Sequence, residues 1–453
     1  MTSIHVDIPE SQPRHQSSAA VITLGCKVNT FESEHIASGL EARGFKRAPS
    51  NESADLFVIN TCTVTAEADR QTRQLIRRTI RNHPAAKVVV TGCYAEIAPE
   101  ICADIPGVDM VVGNSRKLQI PELITHRNCS EESSKIQIED IHKHITIPNQ
   151  LIEGYEGKSR AFIQVQQGCD QGCTFCIIHT ARGPNRSFSV PMIKRQCKKL
   201  FDNDYKEIVL SGVDIGSYGS DIDDDVVNLS GLIKHILQIE GDYQIRLSSI
   251  DPVHITDQLI DLMVSEDRIC KHLHLSMQSG NTLILKRMKR RATREMIYER
   301  VGALRKRLSD LVLSADVLVG FPTESDQQFM DTIKAIDELE IAYPHVFSYS
   351  PREGTPASRI PSQVSKEVKK SRSKIARDQG ALVWERLAKK IVGRDGRVLI
   401  ENKIVSKELD QSLGRMSNYH PVVCNGVFET GTWQNIKIVK AEDGYLEGIP
   451  SEV

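Results

Sequence analysis

The chain has 453 residues, with 58 Lys and Arg against 59 Asp and Glu, so its net charge of −1 gives no global attraction for a polyanion and any basic surface has to be local. A length of this order exceeds one hydrophobic core, so about two to four domains are expected. The 11 cysteines are odd in number and the first 20 residues are polar, and no run approaches the ~18 apolar residues of a membrane span. A disulfide framework, a leader peptide and a membrane protein are thereby disfavoured; a reducing, cytoplasmic setting is expected, with thiols free for metals or clusters.

Residues 1–18 read as a disordered tail. Residues 19–127 then hold three apolar runs that each end in cysteine: Ala20 to Cys26, Asp55 to Cys62 and Lys87 to Cys93. Between them, residues 32–43 and 66–82 place apolar side chains at helical spacing. This alternation predicts strand–helix–strand units and, with a further strand at residues 109–112, an open parallel α/β sheet. In such sheets ligands gather beyond the carboxyl ends of the strands, where Cys26, Cys62 and Cys93 all fall. One cysteine there is ordinarily packing; three at equivalent positions predict a metal cluster with one iron left open. Cys102, Cys129, Cys197, Cys270 and Cys424 lack such placement, and no chemistry is expected of them.

Residues 128–156 have little apolar periodicity and read as a linker. In residues 157–387, strand-like runs at 161–166, 207–211, 243–249, 272–277, 311–319 and 343–349 alternate with amphipathic stretches such as 193–201, 229–239 and 327–339. Strict alternation implies a parallel sheet, and its six units make an open barrel with chemistry at the carboxyl ends of the strands. The first run leads into Gly168-Cys169-Asp170-Gln171-Gly172-Cys173-Thr174-Phe175-Cys176. Spacings of four and three let Cys169, Cys173 and Cys176 hold three irons of a cubic 4Fe-4S cluster, leaving the fourth open as a reaction site. Gly168 and Gly172 relax the backbone around the inorganic atoms. A structural zinc with His179 as fourth ligand is the alternative; the spacing is not that of a zinc knuckle, no second cysteine pair follows, and Phe175 supplies apolar cover for a cluster.

Residues 388–453 read as short strands with turns at Gly393, Gly396, Gly414, Gly426 and Gly431, a small β-barrel. Basic runs at 366–394 (ten Lys or Arg against three Asp or Glu), at 286–307 and at 70–81 predict a local basic face.

The Cys-x3-Cys-x2-Cys loop with Phe175 before its last cysteine resembles the signature of the radical S-adenosylmethionine (SAM) enzymes. The continuation from Ile177 through His179, Arg182 and Gly183 to Ser187 resembles the methylthiotransferase branch, which usually has Pro where His179 stands. The phrases Leu24-Gly25-Cys26-Lys27-Val28-Asn29 with Glu32-Ser33-Glu34, Asn60-Thr61-Cys62-Thr63-Val64-Thr65 and Thr91-Gly92-Cys93-Tyr94-Ala95 resemble the amino-terminal domain of that family. Gly-Cys-Lys-Val-Asn further resembles the branch acting on N6-threonylcarbamoyladenosine in tRNA; the isopentenyladenosine branch tends to Gly-Cys-Gln-Met-Asn and the ribosomal-protein branch to Gly-Cys-Pro-Lys-Asn. Residues 320–324 depart at Thr323, where the family usually has Gly, and the carboxyl-terminal segment resembles the TRAM domain.

This resemblance implies an N-terminal open sheet, a central (βα)6 partial barrel and a TRAM-like β-barrel. It implies two 4Fe-4S clusters, an auxiliary one on Cys26, Cys62 and Cys93 and the radical SAM cluster on Cys169, Cys173 and Cys176. SAM would be bound through Phe175, Gly212, Asp214, Ser249, Gln278 and Asp316, the last five at ends of barrel strands, with no protein nucleophile or base. A radical made from SAM takes hydrogen from an unactivated carbon, which acid–base catalysis does not do to an aromatic C–H, and a methylthio group is then delivered to C2 of an adenosine beside the anticodon. The expected partners are tRNA, an electron donor such as a flavodoxin or ferredoxin, and a sulfur source, with no membrane and a monomeric chain. The isopentenyladenosine and ribosomal-protein aspartate activities, and a non-catalytic iron–sulfur RNA-binding protein, are the alternatives; a basic surface disfavours a basic ribosomal substrate.

Overall fold

The computed structural model describes residues 16–126, 135–143, 151–222, 228–405, 410–442 and 444–451. Most of the expected tail, and Cys129, lie outside the described residues.

Six strands form the first sheet: β1 (Ser18–Thr23), β2 (Lys46–Arg47), β3 (Leu56–Thr61), β4 (Lys87–Gly92), β5 (Met110–Val112) and β6 (Ile136–Gln137). Their order is β2-β1-β3-β4-β5-β6, and each pairing is parallel. All six residues of β3 are buried, which is why its run is continuously apolar: helices cover both faces. Val58, Val89, Ile36 and Leu40 pack on one face, and Phe57, Ile59, Val90 and Ile76 on the other. The crossover helices are α1 (Lys27–Glu41) and α2 (Ala66–Asn82), the latter capped by the Thr65 side chain, which accepts from the Ala68 amide. Three short helices follow, α3 (Cys93–Ile97), α4 (Pro99–Ala103) and α5 (Ile120–His126). Two boundaries differ from expectation. Ser18, assigned to the tail, opens β1 because its amide and hydroxyl both donate to Asp55. Part of the stretch read as linker is structural: β6 extends the sheet, and Ile152 and Tyr155 are buried in the next core.

The second unit contains β7 (Ala161–Gln164), a small ribbon of β8 (Gln166–Gln167) and β9 (Arg186–Ser187), then β10 (Glu207–Ser211), β11 (Gln244–Leu247), β12 (Ser249–Ile250), β13 (His272–Gln278), β14 (Val312–Val319) and β15 (Ile341–Ser348). The (βα)6 partial barrel divides into two parallel sheets, β11-β10-β7 and β12-β13-β14-β15. The division falls inside the third expected strand: the Ser248 amide stays bonded to Leu210 while Ser249 turns to pair with His274. Across the open side, β7 is flanked by α1, whose Phe31 enters the barrel core.

The third unit is a closed barrel in the order β16-β17-β18-β20-β19: β16 (Asp395–Val405), β17 (Asp410–Met416), β18 (Pro421–Asn425), β19 (Trp433–Glu442) and β20 (Tyr445–Pro450). The turn between β17 and β18 closes the floor of the larger barrel. Arg246 Nη1 donates to the Ser417 carbonyl at 3.0 Å, and the His272 ring stacks on Tyr419 at 4.4 Å. No described helix is long and apolar enough to cross a membrane.

Candidate active site at the domain junction

The carboxyl ends of the first sheet and of the barrel face each other across a cavity of about 320 Å³ lined by both cysteine trios. Cys26 precedes α1, Cys62 follows β3 and Cys93 opens α3. Gly25, at φ +97°, lets this loop close on its neighbour: a Cβ there would stand 2.8 Å from Cys62 Sγ. Gly168, at φ +74°, turns the second loop so tightly that a Cβ would meet the Pro184 carbonyl oxygen at 1.9 Å. That loop is pinned at Thr174, whose amide donates to the Met288 carbonyl and whose hydroxyl donates to that of Arg287.

All six cysteines are free thiols. The Gln171 and Ile178 amides point at Cys169 Sγ and Cys176 Sγ, each at 3.4 Å. Phe175 packs beside them against a buried apolar cluster that includes Ile284, Met288, Leu318 and Phe321. Three soft sulfur donors per trio, amide donors to the sulfurs and an apolar cover fit iron–sulfur clusters. Without metal, burial pushes the thiols up, Cys62 and Cys176 to about 11 and Cys169 to about 12, so ligation has to displace protons.

Each trio has a guanidinium beside one sulfur. Arg182, at the end of α6 (Ile178–Arg182), is fully buried: its Nε donates to Cys93 Sγ at 3.2 Å, Nη1 to Glu32 and Gln167 at 2.9 Å, and Nη2 to Asn29 at 2.5 Å. Lys117 Nζ also reaches Glu32, at 2.7 Å. Burial alone would raise the Glu32 pKa; Arg182 and then Lys117 overcome it and hold the carboxyl at about 2. Burial would likewise lower Arg182, but Cys93 and Glu32 raise it well above its usual value. The second guanidinium, Arg290, donates to Cys173 Sγ at 3.5 Å and to Asp251 at 2.9 Å.

The residues expected to hold SAM all border the same cavity: Phe175, Gly212, Asp214, Ser249, Gln278 and Asp316. Gly212 folds over the Gln166 side chain, whose Oε1 accepts from the Val213 and Asp214 amides at 2.9 Å. Asp214 accepts from Arg291 and Ser217, both at 2.8 Å. Gln278 ends β13 at φ +66°, a strained conformation for a side-chain-bearing residue. Asp316 departs from expectation: it lies within β14, not at its end, because the pairing with β15 runs on to Val319 and Ser348, and its carboxylate meets His274 Nε2 at 3.0 Å and Ser249 at 3.4 Å.

No role was expected of Arg182 and Arg290, which border the cavity, or of Glu32 and Lys117, which stand behind Arg182. Glu32 and Arg182 are 150 positions apart, and helical spacing gives no sign that the polar face of α1 turns inward. The basic run at 286–307 is partly spent inside the protein, since Arg290 and Arg291 pair with Asp251 and Asp214. In the run at 366–394, Arg372 is buried against Glu324. Arg77 and Arg78 of α2 are exposed. The Cys62 loop is tied to the barrel by Arg352, which donates to Asp69 at 2.6 Å and to Thr63 at 2.5 Å.

Residues 18–113 match the family described as "Uncharacterized protein family UPF0004", and residues 163–336 match the Radical SAM superfamily. The chain is 38% identical to a threonylcarbamoyladenosine tRNA methylthiotransferase MtaB of Rickettsia prowazekii, covering 96% of this chain and 98% of that protein. It is 37% identical to the MtaB of Bacillus subtilis, covering 95% and 96%. A tRNA-2-methylthio-N6-dimethylallyladenosine synthase of Clostridium novyi is 32% identical, covering 94% and 95%. Among solved structures, the radical SAM methyltransferase TsrM of Kitasatospora setae shares the fold with a TM-score of 0.54 at 14% identity, covering 76% of this chain and 77% of that one. The family brings SAM and a 4Fe-4S cluster with it. With its two family segments and its full-length relatives in agreement, this chain belongs to the radical SAM methylthiotransferases.

Proposed function

We propose that the protein inserts a methylthio group at C2 of N6-threonylcarbamoyladenosine beside the anticodon of tRNA, using two 4Fe-4S clusters. The observation that carries this reading is the single cavity bordered by both cysteine trios. Cys169, Cys173 and Cys176 would hold the radical SAM cluster, and Cys26, Cys62 and Cys93 the auxiliary one. When bound, these groups supply one-electron cleavage of SAM and the sulfur to be transferred.

The chain's own residues position and enclose. Arg182 and Arg290 offset the negative charge that thiolates bring into a buried site. Gln278, Ser249 and Asp316 border the space for SAM, and Phe175 shields its edge from water. Residues 19–127 would act as the sulfur-supplying domain, 157–387 as the radical SAM domain and 388–453 as a TRAM-like domain, in a cytoplasmic enzyme served by a flavodoxin- or ferredoxin-like donor and a separate sulfur source.

Anaerobic reconstitution followed by mass spectrometry of tRNA nucleosides tests the reading. The wild-type protein should carry about eight irons and convert threonylcarbamoyl-modified tRNA to its methylthio form. A C26A/C62A/C93A variant should keep about four irons and form 5′-deoxyadenosine without methylthio product. Full iron with no product on that tRNA, or product from the triple variant, would overturn the assignment.

A further inference from the structure

The buried charges beside Cys93 do not balance on their own. Arg182 and Lys117 are both buried, and both lean on one carboxylate, Glu32, at 2.9 and 2.7 Å. The other oxygen acceptors of the Arg182 guanidinium, on Gln167 and Asn29, are neutral. Glu96, the acidic residue of α3, turns to the Asn114 amide at 2.6 Å and pairs with neither cation. Two buried cations against one anion are costly unless a second anion joins them. The remaining acceptor is Cys93 Sγ, 3.2 Å from Arg182 Nε, and it becomes that anion when it gives up its proton to ligate a metal.

The contact also crosses between units. Arg182 ends α6, which follows the Cys176 loop of the large barrel, whereas Cys93, Glu32, Asn29 and Lys117 belong to the first sheet unit. Asn114, also of that unit, donates from Nδ2 to the Ala181 carbonyl at 2.7 Å, so the end of α6 is fixed against α3. A folding role for Arg182 is met by Glu32 alone. It gives no reason to aim Nε at a sulfur, which is a weak acceptor until it is ionised. Arg290 touches the other trio at Cys173, but within its own unit and at 3.5 Å.

We propose that Arg182 is a positioning residue supplied by the radical SAM domain to the auxiliary cluster, where it holds the Cys93 thiolate and raises the cluster's reduction potential. This rests on the two-cluster reading above and adds to it what tunes the second cluster. One-electron reduction adds one negative charge to a cluster, and a fixed cation with an N–H bond to a ligand sulfur favours the more negative state. Burial keeps that effect from being screened by salt.

The test is a redox titration, followed by electron paramagnetic resonance, of reconstituted full-length protein in a C169A/C173A/C176A background, where the first trio should hold about four irons. Arg182→Gln should keep that iron and lower the ratio of reduced to oxidised cluster at a fixed potential about tenfold, which is about 59 mV for one electron. Arg182→Lys, which keeps the charge but not the planar fork, should fall between Gln and wild type. In a C26A/C62A/C93A background, Arg182→Gln should leave the same ratio for the other cluster within about twofold. An unchanged potential in the first background, or equal shifts in both, would overturn the proposal. Loss of iron from both Arg182 variants would overturn it as well, by making the residue a support for the loop alone. If the C169A/C173A/C176A protein with Arg182 intact holds no iron, the two-cluster reading itself is what fails.

Discussion

Glu32 stands between two buried cations, Arg182 and Lys117, and this fixes both its charge and its response to pH. A carboxyl held at about 2 instead of 4.5 lies below its unfolded value. Its contribution is therefore present above about pH 4.5 and lost as pH falls toward 2, on the order of 3 kcal/mol in all. Glu32→Gln leaves two cations facing each other without a counter-charge, so we expect it to be less stable than the wild type at pH 7 by several kcal/mol. The gap should narrow between pH 4.5 and 2, as followed by denaturant unfolding at each pH; a gap independent of pH would show that Glu32 is not the ionised partner. None of this was legible in the sequence, where Glu32 belongs to a phrase that resembles the family but nothing marks its distant partners. The six cysteines were legible, because spacing within a loop and recurrence at strand ends are local properties of the chain.

The connecting loops decide how the two cysteine-bearing elements meet. Thr63 and Asp69 flank the start of α2, and both are held by Arg352, which follows β15. The Ala66 amide adds a bond to Ser350 Oγ at 3.2 Å. Removing this tie leaves each trio's own loop intact but frees one relative to the other. Arg352→Ala is therefore expected to keep 5′-deoxyadenosine formation within about twofold of wild type while methylthio product falls ~10-fold or more, since small misplacement at a reacting centre is costly. Liquid chromatography of both products in one reaction decides it, and an equal fall in both would place Arg352 in SAM cleavage itself. At this scale the sequence reading succeeded wherever hydrogen bonding follows apolar pattern, as in β10, which spans the expected residues 207–211. It failed at residues 243–249, where one strand-like run serves two sheets. The change of partner at Ser248 is set by neighbours that lie far off in the chain.

Over the whole molecule, the order of three units follows from local periodicity, but their dependence on one another does not. Arg352 and Asp69 are 283 positions apart, and no local pattern reports such a pair. The hydrophobic core makes the same point. Val398, Ile400, Val422 and Ile436 of the small barrel belong to one continuous cluster with the strands and helices of the large one. The floor adds polar closure, with Arg246 and the Lys271 amide bonded to Ser417, and Tyr343 to His420. Tyr419 takes a left-handed φ of +79° to stack there, a strain that the surrounding contacts have to outweigh. The first sheet, by contrast, has its own core on each face. A chain ending at Arg394 would thus expose the floor and part of a shared core, and not merely shed an appendage. We expect such a truncation to lower Tm by ~10 °C or more or to render the protein insoluble, because several kcal/mol of burial are lost at once. In the full-length chain, calorimetry should find the two barrels unfolding in one transition. A truncated protein with unchanged Tm that still cleaves SAM would show that the shared core carries no stability across the boundary.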